Sequence, residues 1–213
     1  MLIVGLTGGV ASGKTTVSKI LSEEGAYLID ADLIARELVQ PHTPTWRELI
    51  RVFGKKILDK DGSIHRKKLA AVVFSDPQQR NVLNQIIQPR IKEVMDRRVR
   101  EIGQKDPGAI VVIDAALLVE LGDHREMDKV IVVTSTERQQ IERLKGRDGT
   151  SGEEARRILS SQMSLEEKLK VADFVIHNEG SLQETRRMAK EVFQELKRIA
   201  LQKGERPESQ GSS

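Results

Sequence analysis

The amino-acid sequence predicts an α/β fold in which helices flank a five-stranded parallel sheet. Five short runs rich in Val, Ile and Leu are nearly continuous in apolar character, which is typical of strands buried on both faces. Helical patterns separate these runs, and strands that alternate with helices favour a parallel sheet. The predicted strands are Leu2–Leu6, Ala26–Ile29, Ala109–Ile113, Lys129–Val133 and Phe174–Ile176.

Helical patterns follow most of these strands, and the first helix begins directly behind the first strand. Ligands of such sheets bind at the carboxyl ends of the strands, so the residues that follow each strand are the first candidates for a site. The predicted helices are Lys14–Glu24, Glu137–Arg147, Gly152–Met163 and Leu182–Ala200.

A long segment separates the second and third predicted strands. Residues 32–107 have a largely helical pattern, with a periodic stretch over Asn81–Ile102 and no convincing strand. A connection of about seventy residues is too long for a simple crossover, so we expect a helical insertion over one side of the site. An additional packing layer is the alternative interpretation.

We expect a single domain over residues 1–203, because 213 residues are enough for one sizeable core. The segment that contains Gly146, Gly149 and Gly152 is expected to form a flap or lid. The final residues have no apolar side chain, which predicts a disordered tail. The expected parts are a core at 1–31 and 108–203, a helical acceptor-binding insertion at 32–107, a lid at 143–170 and a disordered tail at 204–213.

Composition restricts the class of protein. Hydrophobic residues make up 38% and charged residues 31% of the chain, which is typical of a globular protein. No apolar run approaches the roughly 18 to 20 residues that span a bilayer, and no export signal precedes the first strand. We therefore expect a cytoplasmic protein that does not bind a membrane. The chain has no cysteine, which excludes disulfides, thiolate metal sites and cysteine nucleophiles.

The charge pattern favours a small polyanionic ligand over a nucleic acid. The formal net charge is +3, but the Lys and Arg residues are interspersed with nearly as many Asp and Glu residues. Nucleic-acid binding would favour a basic stripe with interleaved aromatic residues, and aromatic residues form only 3% of the chain. The four histidines have no metal-ligand spacing, and a serine hydrolase elbow is missing.

A phosphate-binding motif lies between the first strand and the first helix. Residues Gly8–Thr15 read G-G-V-A-S-G-K-T, which matches G-x-x-x-x-G-K-[ST]. Its glycines allow successive N–H groups to point inward, and the helix N-terminus adds partial positive charge. We expect Lys14 to reach the β- and γ-phosphates of a nucleotide, and Thr15 to offer its hydroxyl to Mg²⁺.

Two carboxylates, Asp30 and Asp32, follow the second predicted strand. In an extended segment, residues i and i+2 face the same way, so both would point at the acceptor side of the site. Phosphoryl transfer to a hydroxyl benefits from a carboxylate that orients the hydroxyl and accepts its proton. A helix N-cap is the alternative role, and it competes seriously for Asp32, which precedes Leu33–Arg36.

The third predicted strand ends in Asp114. An apolar strand that ends in an acid is typical of a Walker B segment, whose carboxylate helps to hold Mg²⁺ directly or through water. Glu120 lies further along the same connection and is expected to face either the substrate or solvent.

Further candidate residues lie in the later part of the chain. Arg143 and Arg147 share one helical face, and guanidinium groups pair bidentately with phosphate oxygens. The two could neutralise charge on a transferred phosphoryl group, or they could belong to a salt-bridged surface. After the fifth strand, Asn178–Gly180 could contact an adenine edge or form a turn.

These motifs together resemble those of the dephospho-coenzyme A kinase family over residues 1 to 200. The order and spacing of several independent motifs make this resemblance more specific than the phosphate loop alone. The matching segments are Leu6–Gly9, Ser12–Thr16, Asp30–Asp32, Ile34–Arg36, Phe53–Gly54, Asp61–Gly62, Arg66–Leu69, Val73–Phe74, Asp114, Leu117–Leu118, Glu120, Arg143–Leu144, Arg147–Asp148, Gln162–Lys168, Ala172–Asp173 and Asn178–Gly180.

The resemblance implies the last step of coenzyme A synthesis. ATP would donate its γ-phosphoryl group to the ribose 3′-hydroxyl of dephospho-CoA, giving CoA and ADP. The implied fold is a P-loop NTPase fold with five parallel strands, a helical CoA-binding region and a lid, and the implied cofactor is Mg²⁺.

The resemblance also implies roles for individual residues. Asp32 would be the preferred base, with Asp30 as the alternative, and Arg143 and Arg147 would belong to the lid. The implied catalytic residues are Asp32, Lys14, Arg143 and Arg147; the ATP-binding residues are Gly8, Gly9, Val10, Ala11, Ser12, Gly13, Lys14, Thr15, Thr16 and Asn178; the acceptor-binding residues are Asp32, Arg66 and Asp30; and the metal ligands are Thr15 and Asp114.

The chain departs from the family pattern at three places. Gln88 precedes Pro89 where His is usual, Ala115–Val119 lacks the usual proline and aromatic residue, and His42 stands where Gly is common. These departures affect the expected acceptor contacts more than the phosphate loop.

Two other functions remain alternatives. A P-loop kinase of a nucleoside monophosphate would share the donor site, so the acidic pair and the helical insertion decide between the two kinases. A regulatory GTPase usually carries N-K-x-D after a late strand, whereas this chain carries Asn178–Gly180 there.

Overall fold

The computed structural model describes residues 1–74 and 76–205. The secondary structure alternates between strands and helices at both ends of the chain, and it is entirely helical over most of the intervening segment. The elements are β1 Leu2–Gly8, α1 Lys14–Glu23, β2 Tyr27–Asp30, α2 Ala31–Leu38, α3 Pro44–Phe53, α4 Arg66–Phe74, α5 Pro77–Lys105, β3 Ile110–Asp114, β4 Lys129–Thr134, α6 Glu137–Asp148, α7 Gly152–Ser160, α8 Leu165–Leu169, β5 Phe174–His177 and α9 Leu182–Glu205.

The structure confirms the five predicted strands and their parallel sheet. The strand order is β2-β3-β1-β4-β5, with β1 at the centre. Residues Leu2 to Leu6 of β1 pair with Ile110 to Asp114 of β3, and Val4 to Gly8 pair with Lys129 to Val133 of β4. Because the strands are parallel, Gly8 and Asp114 both lie at the carboxyl edge of the sheet.

The chain divides into two compact units. One, the sheet unit, comprises Met1–Ile29 and the described residues from Glu101 onward, and the other, the helical unit, comprises Asp30–Arg100. Each contains a hydrophobic cluster of its own. The interpretation of residues 1–203 as a single domain with an acceptor-binding insertion stays a prediction.

The sheet unit buries the inner faces of α1 and α9 against the strands. From α1, Val17 and Leu21 are fully buried, because the apolar residues of this helix recur at helical spacing on one face. Phe193 and Leu196 of α9 join the same cluster. The N-terminus of α1 is thereby held directly behind the end of β1.

The helical unit packs around a second cluster. Leu49 and Phe53 of α3 lie in it with Ile57, Val73 and Ile86. The helix α5 is longer than the periodic stretch Asn81–Ile102 predicts, because polar residues at both ends continue the helix without contributing to its apolar face.

The last helix extends to Glu205, so the start of the predicted disordered tail is helical. The remainder of that tail, 206–213, lies outside the described residues. Within residues 1–74 and 76–205, no helix combines the length and the apolar character that crossing a membrane requires.

Candidate active site

The phosphate loop joins the end of β1 at Gly8 to the start of α1 at Lys14. Ser12 N–H donates to the Gly9 carbonyl at 3.1 Å, which closes a tight turn. Ala11 and Gly13 both have left-handed backbones, with φ of 56° and 94°. The loop therefore curls immediately in front of the α1 N-terminus, where anions are stabilised by free N–H groups and by the helix dipole.

Both the left-handed backbone at residue 13 and the close approach of Asn178 require glycine at this position. A Cβ atom at this position would lie 1.8 Å from Nδ2 of Asn178. Any larger residue would displace that amide, and it would also pay the cost of a left-handed backbone.

Lys14 and Asp114 form an ion pair at the carboxyl edge of the sheet. Asp114 is 3% exposed, because β3 pairs with β1 and ends beside the phosphate loop. Lys14, which was predicted to bind phosphates, therefore contacts Asp114, which was predicted to bind the metal. Thr15, the other predicted metal ligand, is exposed at the start of α1.

Arg143 lies against the phosphate loop, but its guanidinium group contacts backbone carbonyls. Nη1 donates to the Ala11 carbonyl and Nη2 donates to the Asn178 carbonyl, each at 3.1 Å. Arg147 lies one turn further along α6 and is exposed. The structure thus places Arg143 in a hydrogen-bonded position beside the loop.

Asn178 follows β5 and is 8% exposed. Its Nδ2 donates to the Ser12 carbonyl at 2.8 Å, and its Oδ1 accepts from the Thr185 hydroxyl at 2.8 Å. Both polar ends of the side chain are thus engaged within the protein. The predicted adenine contact of Asn178 stays a prediction.

The segment predicted to be a lid, 143–170, forms the end of α6 with α7 and α8. Besides Arg143, two further side chains of this segment reach the carboxyl edge of the sheet. Oε1 of Gln162 accepts from the Val10 N–H at 2.8 Å, and Nζ of Lys168 donates to the Ala116 carbonyl at 3.0 Å. A closing motion of this segment stays a prediction.

Lys168 also forms a buried ion pair that the sequence did not indicate. Its side chain is 0% exposed, and its Nζ lies 2.7 Å from Oε1 of Glu120. The Glu120 side chain is 18% exposed and is held by this pair, and its expected orientation toward substrate or solvent stays a prediction. Alternating charges around Lys168 resemble an ordinary solvated helix, so the sequence contains no signal for this burial.

In the helical unit, Asp30 and Asp32 have different local roles. Asp30 is the N-cap of α2, and its Oδ1 accepts from the Leu33 N–H at 2.8 Å. Asp32 lies in the first turn of α2 and is exposed. The expectation that an extended strand points both carboxylates the same way is wrong, because the chain becomes helical at Ala31.

Asp32 lines a cavity of about 510 Å³ within the helical unit. Arg36 and Arg66 line the same cavity, and Ile64 and Leu69 contribute apolar surface. A cavity with one carboxylate, two guanidinium groups and apolar walls suits an anionic ligand that also carries an apolar portion.

Comparisons with known proteins identify the family. The sequence model of dephospho-CoA kinase matches residues 2–184. The dephospho-CoA kinase of Moorella thermoacetica is 42% identical over 198 residues, covering 93% of each chain. That of Syntrophotalea carbinolica is 41% identical over 213 residues, covering 100% of each chain.

Solved structures agree with the sequence comparisons. A Thermus thermophilus crystal structure superposes with a TM-score of 0.79 at 30% identity, covering 92% of this chain and 97% of that one. The dephospho-CoA kinase from Campylobacter jejuni superposes with a TM-score of 0.68 at 28% identity, covering 92% of this chain and 98% of that one. The chain belongs to the dephospho-CoA kinase family.

Proposed function

We propose that this enzyme transfers the γ-phosphoryl group of ATP to the ribose 3′-hydroxyl of dephospho-CoA, giving CoA and ADP in the final step of coenzyme A biosynthesis. The observation that carries the proposal is a phosphate loop of the correct pattern, curled at the N-terminus of α1, in a chain that matches this family over residues 2–184. We also propose that the enzyme acts in the cytoplasm.

The donor site is assigned to the loop and to the residues that surround it. The N–H groups of the loop from Gly8 to Thr16 would hold the phosphates of ATP, and Lys14 would shift from Asp114 toward the β- and γ-phosphates. Arg143 beside this loop, and Arg147 one turn further along α6, would supply positive charge to the transferred group. Positive charge stabilises a phosphoryl group whose oxygens gain charge during transfer.

The residues present fit Mg²⁺, which prefers hard oxygen ligands. The Thr15 hydroxyl and the Asp114 carboxylate supply such oxygens, Asp114 directly or through water. Among the described residues, no group of three or more acidic or histidine side chains could hold a metal alone, so phosphate oxygens would complete the coordination. When bound, Mg²⁺ neutralises charge on the phosphates.

The acceptor site is assigned to the cavity that contains Asp32. Asp32 would accept the proton of the 3′-hydroxyl as the ribose oxygen bonds to the γ-phosphorus. The bond between the γ-phosphorus and its bridging oxygen breaks, and its electron pair leaves with ADP. Arg66, at the start of α4, would pair with a phosphate of the acceptor. Asp30 is the weaker candidate for the base, because its carboxylate already caps α2.

A coupled assay of ADP release tests this function. Dephospho-CoA is expected to be the preferred acceptor when compared with AMP, dTMP and CMP at equal concentration. Preference for one of the monophosphates would overturn the proposal and favour a nucleoside monophosphate kinase.

Asp32→Asn and Asp30→Asn form a matched pair for the catalytic base. We expect Asp32→Asn to lower kcat by 100-fold or more while ATP binding persists, since general bases contribute roughly 10²–10⁴-fold. Asp30→Asn should leave both stability and kcat nearly unchanged, because the amide oxygen still accepts from the Leu33 N–H and caps α2. An unchanged kcat in Asp32→Asn would remove Asp32 from this role.

A further inference from the structure

The phosphate loop must turn its carbonyl groups away from the nucleotide if its N–H groups are to face the phosphates. In a planar peptide the N–H and the C=O point in opposite directions, so each inward N–H carries an outward C=O. These outward carbonyls need hydrogen-bond donors, because an unpaired buried carbonyl is costly. The donors behind the loop therefore help to determine which way its N–H groups point.

Two consecutive carbonyls of the loop have such donors from distant elements. The Ala11 carbonyl accepts from Nη1 of Arg143 on α6, and the Ser12 carbonyl accepts from Nδ2 of Asn178 after β5. The N–H opposite the Ala11 carbonyl is that of Ser12, which closes the turn to Gly9, so the Ser12 carbonyl is the one whose opposite N–H, that of Gly13, would face the phosphates. The loop at this point includes left-handed residues at Ala11 and Gly13. Backbones of this kind persist only where the surrounding structure holds them.

The Asn178 amide is itself held in one orientation. Its backbone N–H donates to the Thr134 carbonyl at 2.8 Å, which fixes the main chain beside β4. Its Oδ1 accepts from the hydroxyl of Thr185, a residue of α9 that is 0% exposed. With Oδ1 directed at Thr185, Nδ2 is directed at Ser12.

We propose that Thr185 is a positioning residue for the donor site. Its hydroxyl orients Asn178, and Asn178 together with Arg143 keeps the Ala11 and Ser12 carbonyls turned outward. Thr185 touches no substrate and acts through Asn178. The inference rests on the proposed function of this loop in binding ATP.

The primary experiment compares Thr185→Val with Thr185→Ser in the full chain. Valine has nearly the shape of threonine but lacks the hydroxyl, whereas serine retains it. For Thr185→Val we expect the Kd of ATP, measured by calorimetry with Mg²⁺, and the KM for ATP to rise about 10-fold, which corresponds to about 1.4 kcal/mol. The KM for dephospho-CoA should stay within twofold, and Thr185→Ser should restore ATP binding.

A second variant tests whether Thr185 acts through Asn178. Asn178→Asp keeps the oxygen that accepts from Thr185 but replaces the donor to Ser12 with an acceptor, so it should weaken ATP binding at least as much as Thr185→Val. In the Asn178→Asp background, adding Thr185→Val should change the Kd of ATP by less than twofold, because the amide is already missing.

Four outcomes would overturn the inference. The first two are an unchanged Kd of ATP in Thr185→Val and a Kd of ATP in Thr185→Ser that is as weak as in Thr185→Val. The other two are an equal rise of the KM for ATP and the KM for dephospho-CoA in Thr185→Val, and fully additive effects on the Kd of ATP in the double variant. Failure of the proposed function is separate: the wild-type protein would bind ATP but release no ADP with dephospho-CoA.

Discussion

At the scale of single residues, backbone conformation indicates why glycine is common at one position where this chain departs from the family pattern. His42 has a left-handed backbone with φ of 71°, and glycine is common in the family at this position. A residue with a Cβ pays about 1 to 2 kcal/mol for this conformation, whereas glycine does not. The imidazole offsets part of this cost through its tilted contact with Trp46, whose ring centroid is 5.4 Å away.

The matched variants His42→Gly and His42→Ala separate these two effects. Both lose the contact with Trp46, but only alanine retains the Cβ. We expect His42→Gly to be about 1 kcal/mol more stable than His42→Ala in urea unfolding, after the larger entropy of glycine in the unfolded chain is counted. Equal stability of the two variants would contradict a strained backbone at this position.

Residue-scale patterns also show how far the sequence could predict the site. The G-x-x-x-x-G-K-[ST] pattern predicted the phosphate loop because its chemistry depends on residues that are adjacent in sequence. The pairing of Asn178 with Ser12 spans 166 residues and the contact of Gln162 with Val10 spans 152. No spacing rule connects such positions, because tertiary packing alone brings them together.

At the scale of elements, Lys168 of α8 binds two groups in the segment that follows β3. Its ammonium group lies between the Ala116 carbonyl and the Glu120 carboxylate with no exposure to solvent. The contact with residue 116 uses only a backbone carbonyl, so alanine can serve where the family usually has proline. The five apolar strands were predictable from local composition, whereas this charged contact was not.

Replacing Lys168 alone should lower the free energy of unfolding more than replacing Lys168 and Glu120 together. Lys168→Met leaves the buried Glu120 carboxylate without its cation, which typically costs about 3 kcal/mol or more. We expect Lys168→Met/Glu120→Met to recover much of that loss in chemical unfolding, because a buried ion pair can be replaced by apolar residues at little cost.

Lys145→Met is the control for this pair. Lys145 pairs with Glu142 at 3.0 Å on the exposed face of α6, and such pairs contribute little. Its free energy of unfolding should change by less than about 0.5 kcal/mol. A comparable loss in Lys145→Met and Lys168→Met would show that burial does not set the strength of the Lys168 pair.

At the scale of the whole molecule, the two units divide the proposed tasks. The sheet unit holds the phosphate loop, and the helical unit holds the cavity with Asp32, Arg36 and Arg66. The sequence predicted the sheet well because buried parallel strands have a distinctive apolar composition. It predicted the helical unit only in outline. The period of apolar residues indicates that a segment is helical and which face is buried, but it does not indicate which helix packs against that face.

Binding of ATP should stabilise the sheet unit, because a ligand that binds only the folded state adds RT ln(1 + [L]/Kd). At 100 times its Kd, ATP with Mg²⁺ adds about 2.7 kcal/mol, which corresponds to a rise in Tm of about 5 to 10 °C for a chain of this length. Lys14→Ala should lose most of this rise, since Lys14 is the cation expected to reach the phosphates.

The quantity to compare is the rise in Tm that ATP causes in each protein, and not the Tm of the variant alone. Lys14→Ala also removes one partner of the buried Asp114 carboxylate, so the variant should unfold at a lower temperature before any ligand is added. Differential scanning calorimetry with and without ATP separates the two effects in each protein. If Lys14→Ala retained the full increase, Lys14 would have no part in holding the phosphates, and the loop would bind ATP through its N–H groups alone.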